Sequence, residues 1–411
     1  MKFVNKLKKR VLLAAAAIFV GGTAIAETQL DFWSWRQEDA EAYNSIIAEF
    51  EKANPDIKVT YTAHEPTNYA TILTTALAGG SGPDIIHTRA YGAFESMAAP
   101  GYLESLDGKV DLSGFSFDEL LGVTLRSNGE VYSVPMASQT ILVYYNPDIL
   151  SANNITPPST WNEFKAAASK LKSAGVVPFA NGSKDGWTME VMAGAFMPNF
   201  YGGDFFQQVV SEKTDFEDSK FVGAMEKFAE LREFLPQGYE GIDYATMKQL
   251  FTSGVAAFFV GGSWEIPGFR AAGINFDIMQ GPSAEVGGKR MVATWLDGGY
   301  AVNSASESKA AALKFIEFTA STDFGQMLTD KLANVAAVEG AVSSDPLLAK
   351  ISGFHNETTP YIMLVGYRFK KPTGSTLLQN GLQELFAGSK SVSYTHLRAH
   401  ETREDLVCPL L

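Results

Sequence analysis

Apolar and polar positions alternate along the first part of the chain with two periods, one typical of strands and one typical of helices. The two-residue period predicts strands over residues 29–35 and 57–61, and the helical period predicts helices over 43–50 and 69–78. Residues 84–86 are expected to form a short buried strand. Strand and helix follow each other with short connections, which is the order of a parallel sheet covered by helices. The sequence therefore predicts an α/β fold.

Beyond residue 130 the pattern changes, and an extended segment over residues 140–147 is expected to cross between domains. The clearest helix start of the chain follows, where Thr160 and Glu163 have the spacing of a capping box. A helix over 221–235 and a strand over 255–260 continue the alternation. The second part of the chain is thus also expected to be α/β.

Two more helices are predicted toward the C-terminus. Ser304 and Glu307 have the spacing of a second capping box, and residues 377–386 have the helical period. We assign Trp33 and Trp161 to the core, because one lies within a predicted strand and the other opens a predicted helix.

Composition limits the class of protein. A chain of 411 residues is too long for one hydrophobic core, so two domains are expected. An apolar fraction of 46% and a charged fraction of 19% exclude a disordered chain. The formal net charge of −13 argues against a nucleic acid partner, which would need a basic surface. The single cysteine excludes a disulfide framework and a multi-cysteine metal site.

The N-terminus has the pattern of a secretory signal peptide over residues 1–26. Five basic residues precede an apolar run over residues 11–20, and the small residues Ala24 and Ala26 supply a cleavage site. A membrane anchor is the alternative, but the apolar run is too short to span a bilayer. Because no cysteine follows the run, we predict a periplasmic protein without a lipid anchor.

The C-terminal segment, residues 391–411, looks foreign to the rest of the chain. It resembles the translation of a sequencing adapter, and it contains Cys408, the only cysteine. An ordinary polar tail is the alternative. We therefore treat this segment as a non-native tail and expect the native C-terminal sequence to be different.

Motifs for catalysis and for cofactors are absent from the sequence. There is no HExxH zinc motif, no GxSxG elbow, no phosphate-binding GxxxxGK[ST] loop and no dinucleotide-binding glycine fingerprint. We accordingly predict no catalytic residue, no metal and no cofactor, and we interpret the chain as a protein that is not an enzyme. A glycosidase remains an alternative, because its paired carboxylates are distant in sequence.

Aromatic and polar residues follow the predicted strands, at the edge where open α/β sheets bind ligands. An indole ring covers the apolar face of a sugar, while carboxylates and amides bond its hydroxyls, so this mixture favours sugar recognition. Core packing is the alternative for each tryptophan. The candidates are Trp35, Arg36, Glu65, Arg89, Trp187, Trp264, Trp295 and Asp297.

Several segments together resemble the family 1 extracellular solute-binding proteins, the carbohydrate-binding subunits of ABC importers, including the maltose-binding type. The resemblance extends over residues 28–390, and the order and spacing of its motifs make it specific. The motifs are residues 50–59, 82–85, 101–106, 134–146, 158–164, 251–257 and 262–264.

The resemblance implies a two-lobed periplasmic binding protein fold of the class II type, in which each lobe is a mixed sheet flanked by helices. Hinge strands near residues 134–138 and 279–282 would join the lobes around a cleft. The implied N-terminal lobe is 27–137 plus 281–330, and the implied C-terminal lobe is 138–280 plus 331–390.

The resemblance implies roles for only a few individual residues. Trp264 matches a stacking aromatic residue, and Gln139 follows the first hinge, where a relative has an acidic sugar ligand. Asp84 stands where the family often has aspartate, with loop capping as its alternative role. Arg36, His64 and Arg89 together suggest an acidic sugar such as a uronate as an alternative ligand.

The resemblance also implies a function: a monomer that closes on a sugar or oligosaccharide and docks on the permease subunits of an importer. A protein of the same fold for a non-sugar solute, such as a polyamine or iron, is the second hypothesis. The third is a secreted carbohydrate-active enzyme.

Overall fold

The computed structural model describes residues 27–355, 357–361, 365–367 and 371–389. The predicted signal peptide and C-terminal tail lie outside these residues. The strands form two separate sheets. Their bounds are β1 Thr28–Ser34, β2 Ile57–Ala63, β3 Ile85–Arg89, β4 Val134–Pro135, β5 Ala137–Tyr145, β6 Val177–Phe179, β7 Ala256–Gly262, β8 Asp277–Met279, β9 Val292–Leu296, β10 Gly298–Val302, β11 Val335–Ala336 and β12 Thr358–Pro360.

Helices cover both sheets, and none of those in the described part of the chain is long and apolar enough to cross a membrane. Short 3-10 helices occupy Glu230–Phe234, Tyr239–Gly241 and Ser263–Glu265. The α-helices are α1 Ala40–Ala53, α2 Pro66–Ala78, α3 Tyr91–Ala98, α4 Phe117–Leu121, α5 Pro147–Ala152, α6 Trp161–Ser173, α7 Gly186–Phe196, α8 Pro198–Tyr201, α9 Phe205–Val210, α10 Ser219–Ala229, α11 Tyr244–Thr252, α12 Ile266–Ala271, α13 Lys309–Thr319, α14 Thr322–Leu332, α15 Pro346–Phe354 and α16 Gly374–Phe386.

The first sheet has the strand order β2-β1-β3-β10-β4. Strands β2, β1 and β3 are parallel, as the alternation of strands and helices predicts, and β10 runs antiparallel to β3. Because the three parallel strands end at one edge, the residues that follow β1 and β3 lie close together. The apolar face of α1 packs on this sheet through Tyr43, Ile46, Ile47 and Phe50, the residues that predicted the helix.

The second sheet is built around β5, which pairs with β7, β8, β9 and β11. All of these pairs are antiparallel, while β6 runs parallel to β7 and β12 runs parallel to β9. Every residue of β5 from Gln139 to Tyr145 is buried, since packed helices cover both faces. The predicted capping box of α6 is present, with Thr160 and Glu163 as its two partners.

The chain passes between the sheets three times, twice at short junctions and once over the longer segment from β10 through α13 and α14 to β11. The first is Met136, between β4 and β5, and the second is Asp297, between β9 and β10. The lobe boundary that the resemblance implies lies between residues 280 and 281, before β9. In the structure β9 still belongs to the second sheet, and Ser283 hydrogen-bonds to the start of α6. Strand β11 lies beside both junctions, paired with Ala137 and Ser138.

Two local predictions need correction. The second capping box is wrong, because α13 begins at Lys309 and the Ser304 hydroxyl donates to the Gly101 carbonyl instead. Trp33 is only half-buried and lies against His64, whereas Trp161 is in the core as predicted.

The backbones of β10 and β3 lie close together at Gly298, next to the second junction, and this predicts an effect on stability. A Cβ added at Gly298 would lie 1.9 Å from the Thr88 carbonyl oxygen of β3, so Gly298→Ala must push β10 away from its neighbour. We expect a loss of about 1–3 kcal/mol in the free energy of unfolding, measured by urea denaturation. Gly268→Ala is the control, because nothing lies within 4 Å of its added Cβ, and an equal effect of both changes would contradict the account.

Candidate functional site

The ends of β1 and β3 bring Trp35 and Arg89 into direct contact, as their positions after parallel strands predict. The Arg89 guanidinium lies 3.7 Å from the centre of the Trp35 ring, a cation–π geometry. The Trp35 ring also stacks on the His87 imidazole with ring centres 4.1 Å apart. Trp35 itself is buried, so its ring supports the arginine as much as it offers a surface.

Arg36 is buried beneath this pair and faces two carboxylates. Its Nη1 donates to Asp297 Oδ2 at 2.8 Å, and its Nε donates to Asp39. The guanidinium of Arg89 approaches the other oxygen of Asp297 at 3.7 Å. Two arginines therefore face two aspartates, and their formal charges balance at the end of the first sheet.

Two polar atoms of this cluster have no partner among the described residues. They are Nη2 of Arg36 and Oδ1 of Asp39, both fully buried. A buried donor and a buried acceptor are costly unless a further group bonds them. A hydroxyl group both accepts and donates, so a ligand hydroxyl or a bound water is chemically suited to this place.

Gln139 and Asp297 belong to a second, connected set of hydrogen bonds at the junctions. Gln139 Nε2 donates to Asn334 Oδ1 at 2.8 Å and lies 3.4 Å from Asp297 Oδ2. The Ser263 hydroxyl, at the end of β7, donates to Gln139 Oε1 at 2.5 Å. Side chains from both sheets are thus joined through the junctions.

An aromatic cluster lies at the corresponding end of the second sheet. Trp264 contacts Trp295 edge to face with ring centres 5.7 Å apart, and its indole N–H donates to the Tyr244 hydroxyl at 3.1 Å. Trp187 packs on Tyr244 at 4.7 Å, and Tyr361 packs on Trp295 at 5.0 Å. Trp187 and Trp264 keep part of their surface exposed, whereas Trp295 is buried.

Glu265 lies under this aromatic cluster. Its carboxylate accepts from the Tyr244 hydroxyl at 2.7 Å and from the Trp264 indole at 2.9 Å. Burial raises the pKa of Glu265 to about 7, while the nearby Lys248 acts in the opposite direction. The negative charge of Glu38, which precedes α1, also raises the pKa of Glu265. A residue that follows the first sheet's β1 therefore influences the carboxyl group beneath the aromatic cluster of the second sheet.

Two predicted residues lie apart from these clusters. Glu65 is exposed and caps α2 by accepting from the Asn68 amide. Asp84 stands at the beginning of β3, the opposite end from Arg89, and its carboxylate accepts from the Asp31 amide and the Ser306 hydroxyl. These hydrogen bonds agree with the alternative role of Asp84, which is to cap a loop.

Four site residues were missed by the sequence reasoning: Asp39, Tyr244, Glu265 and Asn334. Glu265 directly follows the predicted Trp264, so that motif pointed to it. The other three come from a loop or a helix start whose contacts depend on the tertiary fold. Throughout the residues that the structure describes, no group of three or more His, Cys, Asp or Glu side chains is placed to hold a metal ion.

The raised pKa of Glu265 predicts a pH dependence of stability. The folded protein keeps a proton on Glu265 that the unfolded chain has released above its ordinary pKa of 4.5, so the free energy of unfolding falls as the pH rises toward 7. Glu265→Gln should remove on the order of 2 kcal/mol of this fall between about pH 5 and about pH 8, measured by urea unfolding. The control is Glu226→Gln on the exposed face of α10. An unchanged pH dependence in Glu265→Gln would contradict the assignment.

The sequence and the fold are similar to those of several known binding proteins. The chain is 25% identical over 264 residues to the Multiple sugar-binding protein of Streptococcus mutans, covering 61% of this chain and 60% of that protein. It is 26% identical to the sn-glycerol-3-phosphate-binding periplasmic protein UgpB of Brucella abortus, covering 69% of this chain and 68% of that one. Among solved structures, a chitin oligosaccharide binding protein superposes with a TM-score of 0.78 at 19% identity, covering 92% of this chain and 99% of that chain. The two-lobed α/β fold is confirmed.

A family model supplies the assignment. The model described as "Bacterial extracellular solute-binding protein" matches residues 34–325, which include strands β2 to β10, Arg36, Asp39 and Trp264. Proteins of this family bind solutes and are not enzymes, in agreement with the prediction from the missing catalytic motifs. The chain belongs to the family of bacterial extracellular solute-binding proteins.

Proposed function

We propose that this protein is the substrate-binding subunit of an ABC importer, which captures a sugar or oligosaccharide between two lobes and delivers it to the membrane permease. The observation that carries the proposal is the pairing of the two clusters. Partly exposed indoles on the second sheet are connected, through Asp297 and Gln139, with a buried polar cluster on the first that has an unpartnered donor and acceptor. A sugar needs both kinds of surface.

The lobes that we propose follow the two sheets. One lobe is built on the first sheet and contains β10, and the other is built on the second sheet and contains β9. The hinge then lies at Met136 and Asp297, with β11 beside it. A ligand that bonds both lobes at once shifts the equilibrium toward the closed arrangement, because its contacts are complete only there.

The proposed site residues are those that the structure brings together. Trp264 and Trp187 supply partly exposed aromatic faces, and Arg36 and Asp39 supply the unpartnered polar atoms. The names of two matched proteins, a Multiple sugar-binding protein and a chitin oligosaccharide binding protein, support a sugar ligand.

A phosphorylated polyol is the second candidate, because one relative is named for sn-glycerol 3-phosphate and two arginines lie at the site. An acidic sugar such as a uronate belongs to the same class of anionic ligand. Asp297 and Asp39 already neutralise Arg36, and Asp297 also faces Arg89. This charge balance favours an uncharged sugar over either anion.

The proposed location is the periplasm, reached through the signal peptide over residues 1–26 without a lipid anchor. The proposed partners are the sugar and the permease subunits, with no nucleic acid, and the protein acts as a monomer. The relative UgpB is named as a periplasmic protein, which supports this location.

A thermal-shift screen tests the proposal. The probes are maltotriose, raffinose, chitobiose, glucuronate and sn-glycerol 3-phosphate, and a ligand at 100 times its dissociation constant stabilises by about 2.7 kcal/mol. We expect an uncharged saccharide to raise the melting temperature. Stabilisation by an anion alone would favour the second candidate, and release of a smaller sugar from a saccharide would favour an enzyme.

Trp264→Ala tests the site itself. Loss of the indole should weaken binding of the stabilising saccharide by about tenfold or more, because stacking aromatics are typical binding hot spots. Isothermal titration calorimetry measures the change. Phe117→Ala, on the exposed surface of α4, is the control and should bind like the unchanged protein. Equal affinities in all three proteins would contradict the site.

A further inference from the structure

Three residues from different segments of the chain meet at the junctions between the sheets. Gln139 lies on β5, Asp297 joins β9 to β10, and Asn334 directly precedes β11. The Gln139 amide is 2.8 Å from Asn334 Oδ1 and 3.4 Å from Asp297 Oδ2. All three side chains are buried, so their hydrogen bonds are shielded from water.

The same three residues are tied to both halves of the site. Arg36, at the end of β1, donates to Asp297 at 2.8 Å, and Ser263, at the end of β7, donates to Gln139. The Ser263 hydroxyl also accepts from the Thr140 amide of β5 at 3.2 Å. A continuous set of hydrogen bonds therefore runs from the first sheet, through the junctions, to the second sheet.

Partnering argues against a direct ligand role for Gln139 and Asn334, whereas the equally buried Arg36 and Asp39 each keep an unpartnered polar atom. The exposed fraction of each side chain is 0%. Gln139 uses its oxygen on Ser263 and its nitrogen on Asn334, and the Asn334 nitrogen lies 3.4 Å from the Leu332 carbonyl. These amides have little hydrogen-bonding capacity left for a sugar.

We propose that Gln139, Asp297 and Asn334 are positioning residues that hold the two sheets in their relative orientation, and that they act on the ligand only through that orientation. The inference rests on the proposed function for its biological meaning. It revises the expectation that Gln139 is itself a sugar ligand. A rotation of one sheet about Met136 and Asp297 must lengthen a bond in the chain Arg36–Asp297–Gln139–Ser263.

The test measures the distance between the sheets without any ligand. Spin labels are placed on cysteines substituted for Thr67 of α2 and Ala245 of α11, both exposed, in a chain with Cys408→Ser. Pulsed electron paramagnetic resonance gives the distance distribution between the labels. Because no ligand is added, the result is independent of whether the proposed sugar function is correct.

Two substitutions break the network from different strands. Gln139→Glu keeps the shape but replaces the amide donor with a carboxylate oxygen, which then faces the acceptor oxygens of Asn334 and Asp297, and Asn334→Ala removes one acceptor. We expect both to move the distribution to longer distances, with about a tenfold change in the ratio of the two orientations, the size typical of conformational coupling. Gln249→Glu adds the same charge on the exposed side of α11 and should leave the distribution unchanged.

Ser263→Ala is a milder substitution, which keeps the test decisive if Gln139→Glu or Asn334→Ala unfolds the protein. It deletes one hydroxyl and leaves the surrounding packing, and we expect a smaller shift in the same direction. If the distributions of the folded variants superimpose on that of the unchanged protein, or move to shorter distances, the proposal is overturned.

Discussion

A guanidinium and a carboxylate that are removed from water need each other, because either one alone would carry a large desolvation cost. In this protein the two groups are Arg36, at the end of the first strand, and Asp297, at the junction between the sheets. Their contact is possible only when the first sheet, β9 and β10 are all in place. The ion pair therefore makes the local geometry of the proposed ligand site dependent on the global arrangement of the chain.

Several features of the site follow from this pair. Asp297 is shared between Arg36, Arg89 and the Gln139 amide, which draws the end of β3 and the start of β5 to the same point. Arg89 then covers Trp35, and Gln139 receives the Ser263 hydroxyl from the second sheet. Ser263 is the neighbour of Trp264, so the aromatic cluster is positioned from the same centre. The polar and aromatic halves of the site are parts of one structure.

Local signals in the sequence predicted the elements well. The capping box of Thr160 and Glu163 and the apolar stripe of α1 involve residues within a few positions of each other, so the sequence pattern determines them directly. The strand-end rule placed Trp35, Arg36 and Arg89 together, since parallel strands end at one edge. Ser304 shows the limit of such signals: its hydroxyl found a tertiary partner, and the helix starts later.

The roles of site residues were harder to predict, because they depend on contacts between distant segments. Nothing near Asn334 in the sequence indicates that it bonds Gln139, and the position of Gln139 after the first hinge suggested a sugar ligand although the fold buries it. The pairing of β9 with β5, which follows the implied boundary at residues 280 and 281, is likewise a contact between distant segments.

Small-angle X-ray scattering, with and without a saturating saccharide, tests most directly whether the protein captures its ligand between two lobes. The account predicts that the radius of gyration decreases when the saccharide binds, because the lobes close around it. Binding with an unchanged radius of gyration would contradict the account, as that result would place the ligand on a single lobe.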